Sequence, residues 1–154
     1  MPKDPRTGHL IPGLVTHPLT VPDSIPRPPY VGKQEYNEEG YGDTYTEEEI
    51  DRIREASQIA AGAIDAIADE IRPGVTTQHL DLIGHDYMVK HGAYPSTLGY
   101  RGYPRGLCTS VNEVICHGIP DDTVLEEGDI VNLDVTAYKN GMHGDTNRTV
   151  GVGE

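Results

Sequence analysis

Polar and apolar positions change period twice along the chain, and each change marks a different kind of element. From Ile50 onward, apolar or small residues recur at Ile53, Ser57, Ala60, Ile64, Ile67 and Ile71. That spacing lays a single stripe along a helix. Ahead of it, Thr46-Glu47-Glu48-Glu49 has a capping residue with a carboxylate three positions on, a capping box that also sets negative charge against the positive end of the helix dipole. Arg72-Pro73-Gly74 predicts its end. A second helix is expected to start at Thr76 or Thr77, to carry Leu80, Ile83, Tyr87 and Met88 on one side, and to stop at His91-Gly92. His79, His85 and His91 recur every six residues, which spreads them around that helix instead of gathering them as metal ligands.

Beyond Gly92 the period shortens. Residues 108–111 and 113–116 are rich in short and β-branched side chains, and 130–138 reads as a strand. Asn140-Gly141 follows, and 142–152 resumes extended character, so the dipeptide predicts a hairpin. Helices followed by strands, without βαβ alternation, argue an α+β fold with an antiparallel sheet. The N-terminus is different in kind. Eight of the twelve prolines fall in the first thirty residues, which excludes helix and central strand there. Residues 1–44 are therefore expected to form a proline-rich extended arm on the domain surface, ending in an acidic, tyrosine-bearing stretch. The alternative is that Pro26-Arg27-Pro28-Pro29 offers a PxxP-type docking site to a partner. Residues 45–154 carry the folded domain.

Composition narrows the function. The 154 residues hold 12 basic against 25 acidic side chains, a formal net charge of −13, which repels a phosphate backbone and an anionic membrane alike. Direct nucleic-acid binding and membrane attachment are not expected. No apolar run approaches the roughly 18 residues of a membrane span, and the polar N-terminus lacks a signal-peptide core, so a cytoplasmic address is expected. Phe and Trp are absent, which leaves Ile, Val, Leu and Ala to build the core. Cys108 and Cys116 are too few for a disulfide framework and are read as reduced thiols.

The hairpin carries the candidate chemistry. If Asn140 and Gly141 are the two loop residues of a type I′ turn, Asp134 faces Asn147 and Thr136 faces Asp145. Period-two alternation then places Asp134 and Asp145 on one sheet face, diagonally related at about 7–8 Å. Like charges so placed call for a shared proton or a cation, and a divalent metal is the simplest remedy. A three-residue loop would put the two carboxylates on opposite faces, and spacing alone leaves both registers open.

A longer pattern bears on that choice. Leu98-Gly99-Tyr100-Arg101-Gly102-Tyr103-Pro104 is followed by Asn112-Glu113-Val114-Ile115-Cys116-His117-Gly118-Ile119-Pro120. Then come Gly128-Asp129-Ile130-Val131-Asn132-Leu133-Asp134-Val135 and His143-Gly144-Asp145-Thr146. In this order and spacing the motifs resemble type I methionine aminopeptidase, from about residue 50 to the last. The arm ahead of Tyr30-Val31-Gly32-Lys33 further resembles the N-terminally extended subgroup known from actinobacteria.

The resemblance implies the pseudo-symmetric pita-bread fold, of which this chain would supply the N-terminal half, with helices packed on a curved antiparallel sheet. It implies two divalent metals (Co, Mn, Fe or Zn), with Asp134 a ligand of one and Asp145 bridging both. His117 matches the histidine that contacts the scissile peptide, although before Gly118 it would otherwise read as a turn residue. Tyr100, Tyr103 and Cys108 match the wall of the methionine pocket, with Thr97 at its rim. Asn112 and Val114 match carbonyl donors to a monovalent cation. The activity implied is metal-activated water attack on the first peptide bond of nascent chains that begin with Met and a small residue. The arm is a candidate for docking on the ribosome or another protein. Cys116 stays a small hydrophobe and His143 a surface or supporting residue. The family's remaining ligands, a histidine and two glutamates, match nothing here, so the chain reads as an incomplete fragment, inactive alone. The rival reading is a catalytically inactive binding or chaperone module on the same fold.

Overall fold

A computed structural model describes residues 3–33, 36, 42 and 44–154; most of the acidic stretch after Val31 lies outside the described residues. In chain order it places helix α1 (Glu47–Ala68), helix α2 (Thr77–Lys90), strand β1 (Tyr94–Pro95), a 3-10 turn (Tyr100–Gly102), and strands β2 (Cys108–Val111), β3 (Ile130–Lys139) and β4 (Met142–Gly151).

The capping box forms as the sequence predicts. Glu49 N–H donates to Thr46 Oγ1 at 3.3 Å, and Thr46 N–H donates to Glu49 Oε2 at 2.8 Å. The Thr46 N–H and hydroxyl, both donating to Glu49 Oε2, hold the Glu49 carboxyl below its ordinary pKa. α1 stops at Ala68, short of the expected end at Arg72-Pro73-Gly74. There Glu70 and Ile71 donate to the carbonyls of Ile67 and Ala68, tightening the last turn into i→i−3 bonds, and Arg72 precedes a proline that disfavours helical backbone. α2 begins on Thr76, whose side chain accepts from His79 N–H. It ends in a Schellman motif: Ala93 N–H bonds Met88 O, Gly92 N–H bonds Val89 O, and Gly92 has φ +69°.

β3 is the spine of the sheet. β4 pairs along one side of it from Lys139↔Met142 to Ile130↔Gly151, while β2 and β1 share the other side, all antiparallel. Its alternation is strict. Val131, Leu133, Val135 and Ala137 are fully buried against the helices, which leaves Asn132, Asp134, Thr136 and Tyr138 on the opposite face. β4 approaches α1 so closely that a Cβ on Gly144 would fall 2.1 Å from the Ser57 nitrogen.

Two expectations need correction. Residues 113–116 are not a strand: Ile115 is 94% exposed, and β2 ends where Asn112 turns at φ +51°. The Asn112 amide donates to Asp129 Oδ1 at 2.8 Å, and its carbonyl oxygen accepts from Ile130 N–H at 3.0 Å. Asn tolerates left-handed backbone, and these side-chain bonds stand in for strand pairing. The arm, second, does more than lie on the surface. Val21 and Ile25 join Tyr94 and Leu98 in a second buried cluster, and Pro28 of the PxxP segment is itself buried.

A buried charged pair fastens that arm. Arg105 and Asp81 lie 3.7 Å apart with side chains 2% and 1% exposed. Arg105 also donates to Pro120 O, Thr16 Oγ1 and His17 O. His85 Nε2 meets Thr20 O at 3.0 Å. The three α2 histidines thus point into separate surroundings, with His79 in solvent and His91 stacked on Tyr87.

Candidate metal and substrate site

The turn fixes the site. Asn140 and Gly141 have φ of +50° and +84°, the pair of positive values that a two-residue type I′ turn requires. Asp134 consequently faces Asn147 and Thr136 faces Asp145, which puts both carboxylates on the sheet face turned away from the helices. Thr136 Oγ1 donates to Asp145 Oδ1 at 2.8 Å. Burial raises the Asp134 pKa, the charge of Asp145 and a hydrogen bond with it raise it further, and His117 pulls it back.

These groups open onto one cavity of about 590 Å3, whose walls include Thr97, Tyr100, Cys108, His117, Asp134 and Asp145. Each arrives by a local cause. Cys108 stands directly across β3 from Asp134, and burial pushes its thiol up to about 11. Thr97 is held by donating to Arg105 O at 2.8 Å. His117 has φ +56° and is followed by Gly118, whose N–H bonds Ser110 Oγ and whose carbonyl accepts from Thr109 N–H. A Cβ on Gly118 would lie 2.1 Å from Thr109 O, so only glycine lets this loop lie on β2.

Tyr103 and the Asn112–Val114 turn stand apart from this cavity. The Tyr103 hydroxyl donates to Leu107 O and Gly118 O, and burial raises its pKa. It borders a separate cavity beside the arm. Tyr103 thus stands behind Cys108 and the His117 loop, beside the cavity that Asp134 and Asp145 share. Asn112 and Val114 border a smaller depression that also has Asp134 in its lining.

Further residues reach the cavity, among them His143, which the sequence left as a surface or supporting residue, and Ser96 and Tyr30, which it did not single out. His143 lines the cavity, stays open to solvent at its mouth, and meets Ser96 Oγ through Nδ1 at 2.9 Å. Burial among its neighbours lowers its pKa, with Asp145 opposing. Parity could have found it, since His143 and Asp145 share a strand face. Ser96 and Tyr30 also line the cavity, and no local pattern marks either.

The donor set fits part of a metal centre. Two hard oxygen ligands drawn together on one face, one of them holding its proton above the ordinary range, are what a divalent cation relieves. Among the described residues no group of three His, Cys, Asp or Glu side chains is placed to hold a metal ion, so the two aspartates are candidate donors for only part of a centre. Also among the described residues, no helix is long and apolar enough to cross a membrane.

Residues 51–154 match metallopeptidase family M24. The chain is 53% identical over 150 residues to methionine aminopeptidase 2 of Mycobacterium tuberculosis, covering 97% of this chain and 53% of that protein. It is 47% identical over 149 residues to methionine aminopeptidase 1 of Saccharomyces cerevisiae, covering 90% of this chain and 38% of the relative. Among solved structures, methionine aminopeptidase from Rickettsia prowazekii superposes with a TM-score of 0.70 at 44% identity, over 71% of this chain and 44% of that one. The chain thus spans about half the length of the curated relatives it matches or less. Its helices on an antiparallel sheet are the pita-bread arrangement of these neighbours.

Proposed function

The chain belongs to metallopeptidase family M24, and on that footing we propose that it carries half of the site by which a methionine aminopeptidase removes the first residue of nascent proteins. The observation that supports this reading most is the convergence of Asp134 and Asp145 on one sheet face, in a cavity that also holds His117 and Cys108. Asp134 and Asp145 would hold two divalent ions, Co, Mn, Fe or Zn, whose chemistry when bound is to activate water for attack on the first peptide bond.

The remaining roles belong to protein groups. Thr136 fixes one oxygen of Asp145 and so aims the other. His117, carried over the cavity by its left-handed backbone, donates a hydrogen bond to the carbonyl under attack. Tyr100, Cys108 and Thr97 form the wall for an unbranched methionine side chain, backed by Tyr103. The backbone carbonyls of Asn112 and Val114 would hold a monovalent cation. Substrates are chains that start with Met and a small residue. The address is cytoplasmic, and the exposed Pro26, Arg27 and Pro29 are a part of the arm open to a ribosomal or protein partner. The N-terminally extended subgroup is supported by the Mycobacterium relative, whose match takes in the arm. An inactive binding or chaperone module would give the paired carboxylates no role.

The test is hydrolysis of Met-Ala-Ser by the full-length product that contains this chain. Turnover is expected to require a divalent metal and to vanish in Asp145→Ala. Release of methionine that survives both chelation and that substitution overturns the reading.

A further inference from the structure

Tyr30 belongs to the arm in sequence and to the cavity in space. It is 8% exposed and lies in the same wall as Asp134, Asp145 and Cys108. Its hydroxyl donates to the Ser96 carbonyl. Its ring meets Tyr100 edge-to-face at 5.1 Å between centroids and 76° between planes, the geometry an aromatic quadrupole favours. On the other side it lies nearly parallel to the His143 ring at 6.2 Å and 15°. Ser96 ties these contacts together: its hydroxyl meets His143 Nδ1, and its N–H donates to Thr136 O.

The arm delivers Tyr30 in a fixed pose. Val21 and Ile25 anchor it in the second buried cluster, and Arg27 donates to Val21 O at 3.1 Å. Three prolines, Pro26, Pro28 and Pro29, then restrict the backbone up to Tyr30, so little chain entropy is lost in holding the ring there.

We propose that Tyr30 is a positioning residue for recognition of the substrate's first side chain, clamping Tyr100 through its ring and the Ser96–His143 pair through its hydroxyl. The proposal rests on the aminopeptidase reading and assigns the arm a part in that site. Without the clamp the Tyr100 ring loses its edge-to-face partner and the wall against the side chain becomes loose. Affinity and selectivity suffer, while the groups that act on the peptide bond keep their places.

The experiment compares wild type, Tyr30→Phe and Tyr30→Ala in the full-length product loaded with manganese, with Met-Ala-Ser and Leu-Ala-Ser as substrates. For Tyr30→Ala, KM for Met-Ala-Ser is expected to rise about tenfold with kcat within about threefold, and the preference for Met over Leu to fall. Tyr30→Phe, which keeps the ring and loses the hydroxyl, is expected to shift KM by about threefold. Calorimetric binding of L-methionine should weaken in the same order. A Tyr30→Ala protein that folds, turns over and keeps its KM and its selectivity overturns the inference alone. So does a change confined to kcat that tracks the folded fraction. A wild type that cleaves neither peptide overturns the functional reading and this inference with it.

Discussion

Thr136 and Asp145 stand directly opposite each other across the β3–β4 ladder, and the Thr136 hydroxyl donates to Asp145 Oδ1 at 2.8 Å. A carboxylate with one oxygen held in this way presents its other oxygen in a set direction, which is how a supporting hydroxyl tunes a metal ligand. Thr136→Val keeps the side-chain shape and removes the donor. Manganese affinity of the full-length protein, read by electron paramagnetic resonance, should fall roughly 10–100-fold with the unfolding midpoint little changed. Unaltered affinity would show that packing alone orients Asp145.

The contact between β4 and α1 leaves no room at Gly144, where an added Cβ would meet Ser57 N at 2.1 Å and the Ala56 carbonyl carbon at 2.4 Å. Both are helix backbone and cannot rotate aside. Gly144→Ala should destabilise by about 1–3 kcal/mol or more, seen as a lower urea midpoint at constant slope. Because Asp145 is the next residue, metal binding should weaken as well.

The Asp81–Arg105 pair predicts a pH dependence. Burial raises the Asp81 pKa above 3.8, with the Gly106 N–H and Arg105 opposing. The folded state therefore takes up this proton more readily than the unfolded chain. Stability contributed at this site falls as pH rises through the window between the unfolded and folded values and is level above it. Asp81→Asn has no such step, so its deficit against wild type should be largest in acid and narrow toward neutral pH. Asp81→Ala, which strands the Arg105 charge and the Gly106 N–H, should cost about 3–5 kcal/mol. Chemical denaturation across a pH series measures both.

The two thiols should differ in reactivity. Cys116 is exposed, whereas Cys108 is buried and has its thiol pushed up to about 11, so the thiolate that alkylating reagents need is scarce near neutral pH. Iodoacetamide at pH 8 should label Cys116 quickly in the native protein and Cys108 only after unfolding. Peptide mass spectrometry would show the order, and equal rates would mean that the cavity wall opens.

The sequence by itself determined whatever depends on near neighbours: the capping box at Thr46 and Glu49, the end of α2 at His91-Gly92, and the hairpin at Asn140-Gly141. The shared face of Asp134 and Asp145 falls only partly in this class: a period of two places the side chains once the chain reverses, but spacing left the loop length open until the structure showed a two-residue turn at Asn140-Gly141. Where local signals misled, a longer-range partner won. Residues 113–116 have strand-forming side chains, yet Asn112 bonds Asp129 and Ile130 and turns the chain away. The arm shows no period, so nothing local says that Tyr30 reaches Ser96, Tyr100 and His143, or that Arg105 grips Thr16 and His17. Those contacts join residues from 66 to 113 positions apart along the chain, and only the packing of arm, helices and sheet into one body could decide them.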